Sequence, residues 1–153
     1  MRLSSIPPLI TLLAMAGLSI ACSSGPKPPP PIVFDVTADY QANHGGLFYF
    51  VVRTANEKQF MLEGYQDIAN KAFADPPDPN VLGVFSIVPG KEQEYSVNQP
   101  TQGGVALYFL LTHPAGPQWK KLLSLPLKEE YEINIPANDQ IQVNENKSFW
   151  SWL

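Results

Sequence analysis

From Ile32 onward, apolar and polar residues alternate in short runs, the period of half-buried strands. In Ile32–Thr37 (IVFDVT), Ile32, Phe34 and Val36 share one face. Leu47–Thr54 (LFYFVVRT) is aromatic and β-branched, a composition suited to a pleated, buried surface. Val81–Val88, Glu92–Val97 and Val105–Thr112 repeat the signal, separated by Pro89-Gly90 and by Gln99–Gly104. Val105–Thr112 (VALYFLLT) is apolar on both faces, which predicts a central strand. Shorter strands are expected at Glu132–Ile135 and Gln140–Val143, and Trp119–Leu127 fits either a strand or a turn of helix. From Glu57 to Phe73 the period changes: Met61, Tyr65, Ile68 and Ala72 recur at helical spacing, widened by Leu62, Ala69 and Phe73. Asn56 suits the cap, Asp75-Pro76-Pro77-Asp78-Pro79 ends the helix, and the stripe is expected to face the core. Seven to eight short strands with one inserted amphipathic helix predict a mainly β protein, a β-sandwich.

The beginning of the chain follows different rules. Arg2 and the uncharged run Leu9–Ile20 form a targeting segment, too short at about 12 residues to span a hydrocarbon core needing roughly 20. It ends in Leu18-Ser19-Ile20-Ala21-Cys22, which resembles a bacterial lipobox. That resemblance implies a signal peptide over 1–21, cleavage after Ala21, and a diacylglycerol and an N-acyl chain on Cys22. A lone thiol in an exported protein is otherwise a liability, and several acyl chains at about 0.8 kcal/mol per buried CH₂ make a durable anchor. Ser23 and Ser24, with no aspartate after the cysteine, imply by resemblance the outer membrane. Residues 22–31 then read as a lipidated tether whose Pro28–Pro31 favours extended polyproline II. The folded domain is expected over 32–143.

Composition narrows the chemistry. The 153 residues carry a formal net charge of −4 and no basic stretch, so nucleic acid is not an expected partner. One cysteine and two histidines, His44 and His113, leave little for metal binding or an intramolecular disulfide, and no cofactor is expected beyond the lipid. No G-x-S-x-G, H-E-x-x-H, P-loop or G-x-G-x-x-G motif is present, so no catalytic residues are assigned and the chain is not expected to be an enzyme. The tail 144–153 ends in Ser148-Phe149-Trp150-Ser151-Trp152-Leu153. Phe149, Trp150 and Trp152 need burial, against the sandwich, in a partner's groove or at a membrane interface.

The order of features carries a family resemblance. The lipobox and proline-rich tether precede a first strand and an Asn-containing loop that leads into Val51-Val52-Arg53. An amphipathic helix with Phe60 near its start, the Pro89-Gly90 turn, the strand Val105–Thr112 and Trp119-Lys120 follow. This arrangement resembles the TssJ family, outer-membrane lipoproteins of the bacterial type VI secretion system. Thr54-Ala55-Asn56 stands where the family usually has tyrosine-glutamine-leucine. The resemblance implies a transthyretin-like β-sandwich lying on the periplasmic face of the outer membrane. It implies as partners the periplasmic C-terminal region of TssM and the wider TssL-TssM-TssJ membrane complex. The contact loop it implies is Asp39–Gly46: Asp39, Tyr40, Gln41, Asn43, His44, Gly45 and Gly46, with Tyr40, Asn43 and His44 foremost. A structural or chaperone-like lipoprotein of another envelope machine, or a solute-binding lipoprotein, would share the lipid, tether and sandwich.

Overall fold

A computed structural model describes Gly25, 27–114 and 116–145. The signal segment, Cys22, Phe149, Trp150 and Trp152 lie outside the described residues. Among them the strands are β1 (Ile32–Ala38), β2 (Phe48–Ala55), β3 (Val81–Ile87), β4 (Glu92–Val97), β5 (Gly104–Leu110), β6 (Lys120–Leu122), β7 (Glu130–Ile135) and β8 (Gln142–Glu145). They form two four-stranded sheets, ordered β4-β1-β7-β8 and β3-β2-β5-β6. All neighbours are antiparallel except β1 and β7. Trp119–Leu127 resolves into the end of a 3-10 turn (Gly116–Trp119), the short strand β6 and a loop. The expected β-sandwich is the fold.

Alternation places one set of side chains between the sheets. Ile32, Phe34 and Val36 of β1 meet Phe48, Phe50 and Val52 of β2, Val105, Leu107 and Phe109 of β5, and Tyr131, Ile133 and Ile135 of β7. Phe50 packs edge-on against Phe34 and stacks on Phe109, with ring centroids 5.3 and 5.1 Å apart. The other set on β5, Ala106, Tyr108 and Leu110, is also buried, with Val51 and Ala55 of β2, because helices cover that face.

The covering is two helices, α1 (Glu57–Leu62) and α2 (Tyr65–Ala72), where the pattern predicted one over 57–73. Asn56 caps the first as expected, its side chain accepting from the Gln59 N–H. The run then breaks at Glu63, whose backbone turns extended (φ −70°, ψ 118°), and Asp67 caps the second helix by accepting from the Gly64 N–H. The break redirects the apolar stripe. Ile68 is buried and Tyr65, Ala69 and Ala72 pack on the sheet, but Met61, Leu62 and Phe73 stay exposed, which corrects the expectation of a wholly core-facing stripe.

No helix covers the outer face of the other sheet. There the register sets Asp35 of β1 between Glu94 of β4 and Glu132 of β7, with Glu92 and Glu130 close by. Partial burial, and then the carboxylates of Glu130, Glu94 and Glu132, hold the Asp35 carboxyl above its usual range. A raised acid destabilises the folded state when ionised, and the penalty is relieved as pH falls through the folded-state value. Asp35→Asn is therefore expected to stabilise the protein at pH 7 by roughly 0.2–1 kcal/mol. Urea unfolding at pH 7 and near pH 3 should show that gain shrinking with acid and with added salt.

Candidate docking site

The sandwich has two distinct ends. β1 enters at Ile32 beside Val97, Glu130 and the last residues of β2, and runs to Ala38. The loop 39–46 lies at the far end, about 23 Å away for seven residues at roughly 3.3 Å each. The tether and the loop are thus separated by the length of the domain.

Asn43 gives the loop its shape. It is only 5% exposed, and its Nδ2 donates to the carbonyls of Gly46 (2.9 Å) and Leu47 (3.3 Å). Its Oδ1 accepts from the Thr112 N–H at 2.8 Å, and its own backbone N–H donates to Asp139 Oδ1 at 2.7 Å. One side chain and its amide therefore join three loops, those after β1, β5 and β7. The backbone at Asn43 (φ 50°), His44 (φ 55°) and Gly45 (φ 78°) stays left-handed for three residues, a conformation that Asn tolerates and Gly adopts freely. Such a run persists only where neighbours over-determine it, and the Asn43 bonds do so.

Around this staple the remaining loop residues divide by exposure. Asp39 is half-buried and accepts from the Gln41 N–H at 2.8 Å, and Gln41 itself is exposed. Tyr40 is 69% exposed and rests over Gly90, where an added Cβ would come 3.3 Å from the Tyr40 Cβ. Gly90 also has positive φ (78°), so the β3–β4 turn needs glycine on both grounds. His44 is exposed and its ring lies parallel to that of His113, with centroids 5.9 Å apart. Leu47 and Val88 add exposed apolar surface on adjacent strands. The outward-facing set is Tyr40, Gln41, His44, Gly45 and Gly46, whereas Asn43 points inward and acts by positioning the others. Gly90, His113 and Asp139 join through topology, with no local signal in the sequence.

A second polar cluster lies between α1, α2 and the sheet. Glu63 accepts from the Arg53 guanidinium and the Tyr108 hydroxyl, and from Lys71 Nζ at 3.0 Å. Lys120 Nζ donates to the carbonyls of Phe60 (2.6 Å) and Glu63 (2.9 Å), closing the end of α1. Burial pushes the Glu63 carboxyl up, but donation from Tyr108, Lys71 and Arg53 outweighs it and leaves the group below its usual range. Burial and then the Glu63 carboxylate push the Tyr108 hydroxyl well up. The cluster is enclosed beneath the helices, so it fastens them to the sheet. Among the described residues, no three His, Cys, Asp or Glu side chains converge as a metal site.

Two expectations follow. Asn43→Ala should destabilise the protein by about 1–3 kcal/mol, because buried carbonyls and an N–H lose their partner, whereas Tyr40→Ala should stay within about 0.5 kcal/mol in urea unfolding. Glu63 contributes stability above its unfolded value near 4.5, and that contribution is lost as pH falls through its lower folded value. Glu63→Gln, which leaves Arg53 uncompensated, should cost about 3–5 kcal/mol at pH 7, with the gap to the parent narrowing toward pH 3.

Comparison with known proteins fits this architecture. Residues 49–135 match the family described as IglE, N-terminal domain. No curated protein matches the chain. The structure of Serratia marcescens Lip, a membrane bound component of the Type VI Secretion System, is similar at TM-score 0.61 and 15% identity, covering 77% of this chain and 99% of that one. The T6SS lipoprotein TssJ1 from Pseudomonas aeruginosa is similar at TM-score 0.57 and 14% identity, covering 76% and 96%. A chain in the structure of the T6SS protein TssM C-terminal domain (869-1107) from EAEC is similar at TM-score 0.53 and 13% identity, covering 74% and 99%. At such identities the likeness is one of fold. The resemblance read from the order of sequence features therefore extends to the arrangement of the strands.

Proposed function

The chain belongs to the family described as IglE, N-terminal domain, and from that premise we propose that it is a lipid-anchored structural component of a type VI secretion membrane complex. Cys22 carries the diacylglycerol and N-acyl chains and holds the domain to the periplasmic face of the outer membrane. The loop 39–46 docks on the periplasmic C-terminal region of TssM, within a complex completed by TssL, and so ties that core protein to the outer membrane.

The observation that carries this proposal is the polarity of the domain. The anchored tether joins at Ile32, whereas the preformed loop projects from the opposite end of β1. An anchor and a docking surface at opposite ends suit a strut between a membrane and a partner reaching toward it. The loop's rigidity lowers the ordering cost of binding, and an exposed tyrosine is a frequent source of binding energy. The shared fold of proteins described as T6SS lipoproteins supports the same assignment.

Calorimetric titration of the lipoprotein with the C-terminal domain of TssM from the same genome tests it. Micromolar or tighter binding is expected, weakened at least about tenfold by Tyr40→Ala with His44→Ala while the unfolding midpoint stays put. Unchanged affinity in that variant would overturn the assignment of the loop. For the anchor, Cys22→Ala should move the protein from the membrane fraction to the soluble periplasmic fraction; retention on the membrane would contradict lipidation at Cys22.

A further inference from the structure

We infer that the tether-side flank of the domain, through Met61, Leu62 and Leu125, rests on the phospholipid surface to which the chain is anchored; this depends on the lipid anchor proposed at Cys22. These three are the most exposed large aliphatic side chains among the described residues, at 72%, 74% and 67%. α1, which carries two of them, has no buried residue of its own. They also form one surface. A groove of about 480 Å³ beside Leu125 is lined by Ala55, Leu122 and Glu57, and a second of about 370 Å³ is lined by Glu57, Lys58, Met61 and Leu62. Glu57 is common to both grooves, so an apolar strip runs from the loop after β6 to the end of α1.

Chain length and direction indicate what covers this strip. Ten residue steps separate Cys22 from Ile32, a reach of at most about 36 Å at roughly 3.6 Å per residue. Ile32, the end of β2 that leads into α1, and the end of β6 that leads to Leu125 all lie at one end of the sandwich. β8 finishes there as well, with Glu145 opposite Tyr131, and Phe149, Trp150 and Trp152 follow a few residues later in the sequence. Tryptophan is enriched at the membrane–water boundary. Once the chain is anchored, a contact too weak to hold a free protein becomes intramolecular, so a modest apolar strip suffices.

Charge selects the side that faces down. The outer face of the β4-β1-β7-β8 sheet carries Asp35, Glu92, Glu94, Glu130 and Glu132, and it lies opposite the helix-bearing face. A bilayer containing anionic lipid repels the carboxylate side and leaves the helix flank as the one that can approach. On that flank Lys58 can extend its ammonium to the headgroups while its stem covers apolar surface. The consequence is a leaning domain whose loop 39–46 points away from the membrane.

The test uses the full lipoprotein, purified from membranes and reconstituted in vesicles of phosphatidylethanolamine and phosphatidylglycerol. A lipidated Cys22 has no free thiol, so Met61→Cys, Leu125→Cys, Glu94→Cys and Tyr40→Cys variants each take one environment-sensitive fluorophore at an exposed position. The expected result is that labels at 61 and 125 lose about threefold or more of their accessibility to an aqueous quencher and are quenched by spin-labelled lipid. Labels at 94 and 40 should remain fully accessible. Vesicle flotation is measured in parallel. Protein that floats with all four labels equally accessible overturns the inference and leaves the anchor intact, whereas protein that does not float overturns both.

Discussion

Strand β5 carries large side chains on both of its faces, so it is stable only where both are covered. On one side the β4-β1-β7-β8 sheet supplies the cover, and Val105, Leu107 and Phe109 join the main core. On the other side Ala106, Tyr108 and Leu110 require a third layer, which α1 and α2 provide between β2 and β3. The helices are short, and a helix under about 12 residues gains little from its own hydrogen bonds. Their attachment therefore depends on packing and on the polar cluster in which Glu63 receives Arg53, Tyr108 and Lys71. That carboxylate is also where the helix breaks: extending the backbone at residue 63 brings the side chain onto the sheet.

The same layering accounts for where surface chemistry is free to vary. The inter-sheet core and the helix-covered face use up most large apolar residues of the strands. What remains exposed gathers at the ends and on one flank. The far end holds Tyr40, His44 and His113 on loops joined by Asn43, and the tether side holds Met61, Leu62 and Leu125. The bare outer face of the other sheet is instead carboxylate-rich, with five acidic side chains on three adjacent strands, Asp35, Glu92, Glu94, Glu130 and Glu132. Cross-strand repulsion there lowers stability while discouraging that face from sticking to neighbours.

Much of this was legible in the sequence because it depends on local periodicity. Alternation marks β1 to β5 closely, and the two-sided run after Val105 marks the central strand without reference to anything distant. The break at Glu63 was not legible, because Glu63 is one polar residue in an apolar stripe and its destination, Arg53 with Tyr108, is fixed by tertiary structure. The docking loop divides the same way. Its limits follow from the polar, glycine-bearing run Asp39–Gly46, but the inward turn of Asn43 depends on Thr112 and Asp139, 69 and 96 residues along the chain. Sequence composition can show that a loop exists; which side chains it presents is settled by partners that only the fold brings together.

The central claim is that anchor and docking surface occupy opposite ends of one rigid domain. Hydrogen–deuterium exchange of the lipoprotein, alone and with the TssM C-terminal domain, tests it most directly. The account predicts added protection confined to the far end, at amides of 40–47, 88–91 and 112–114, with the tether end and the α1 flank unchanged. Protection centred on α1, on Leu125 or on the carboxylate face, with the loop 39–46 unaffected, would contradict it.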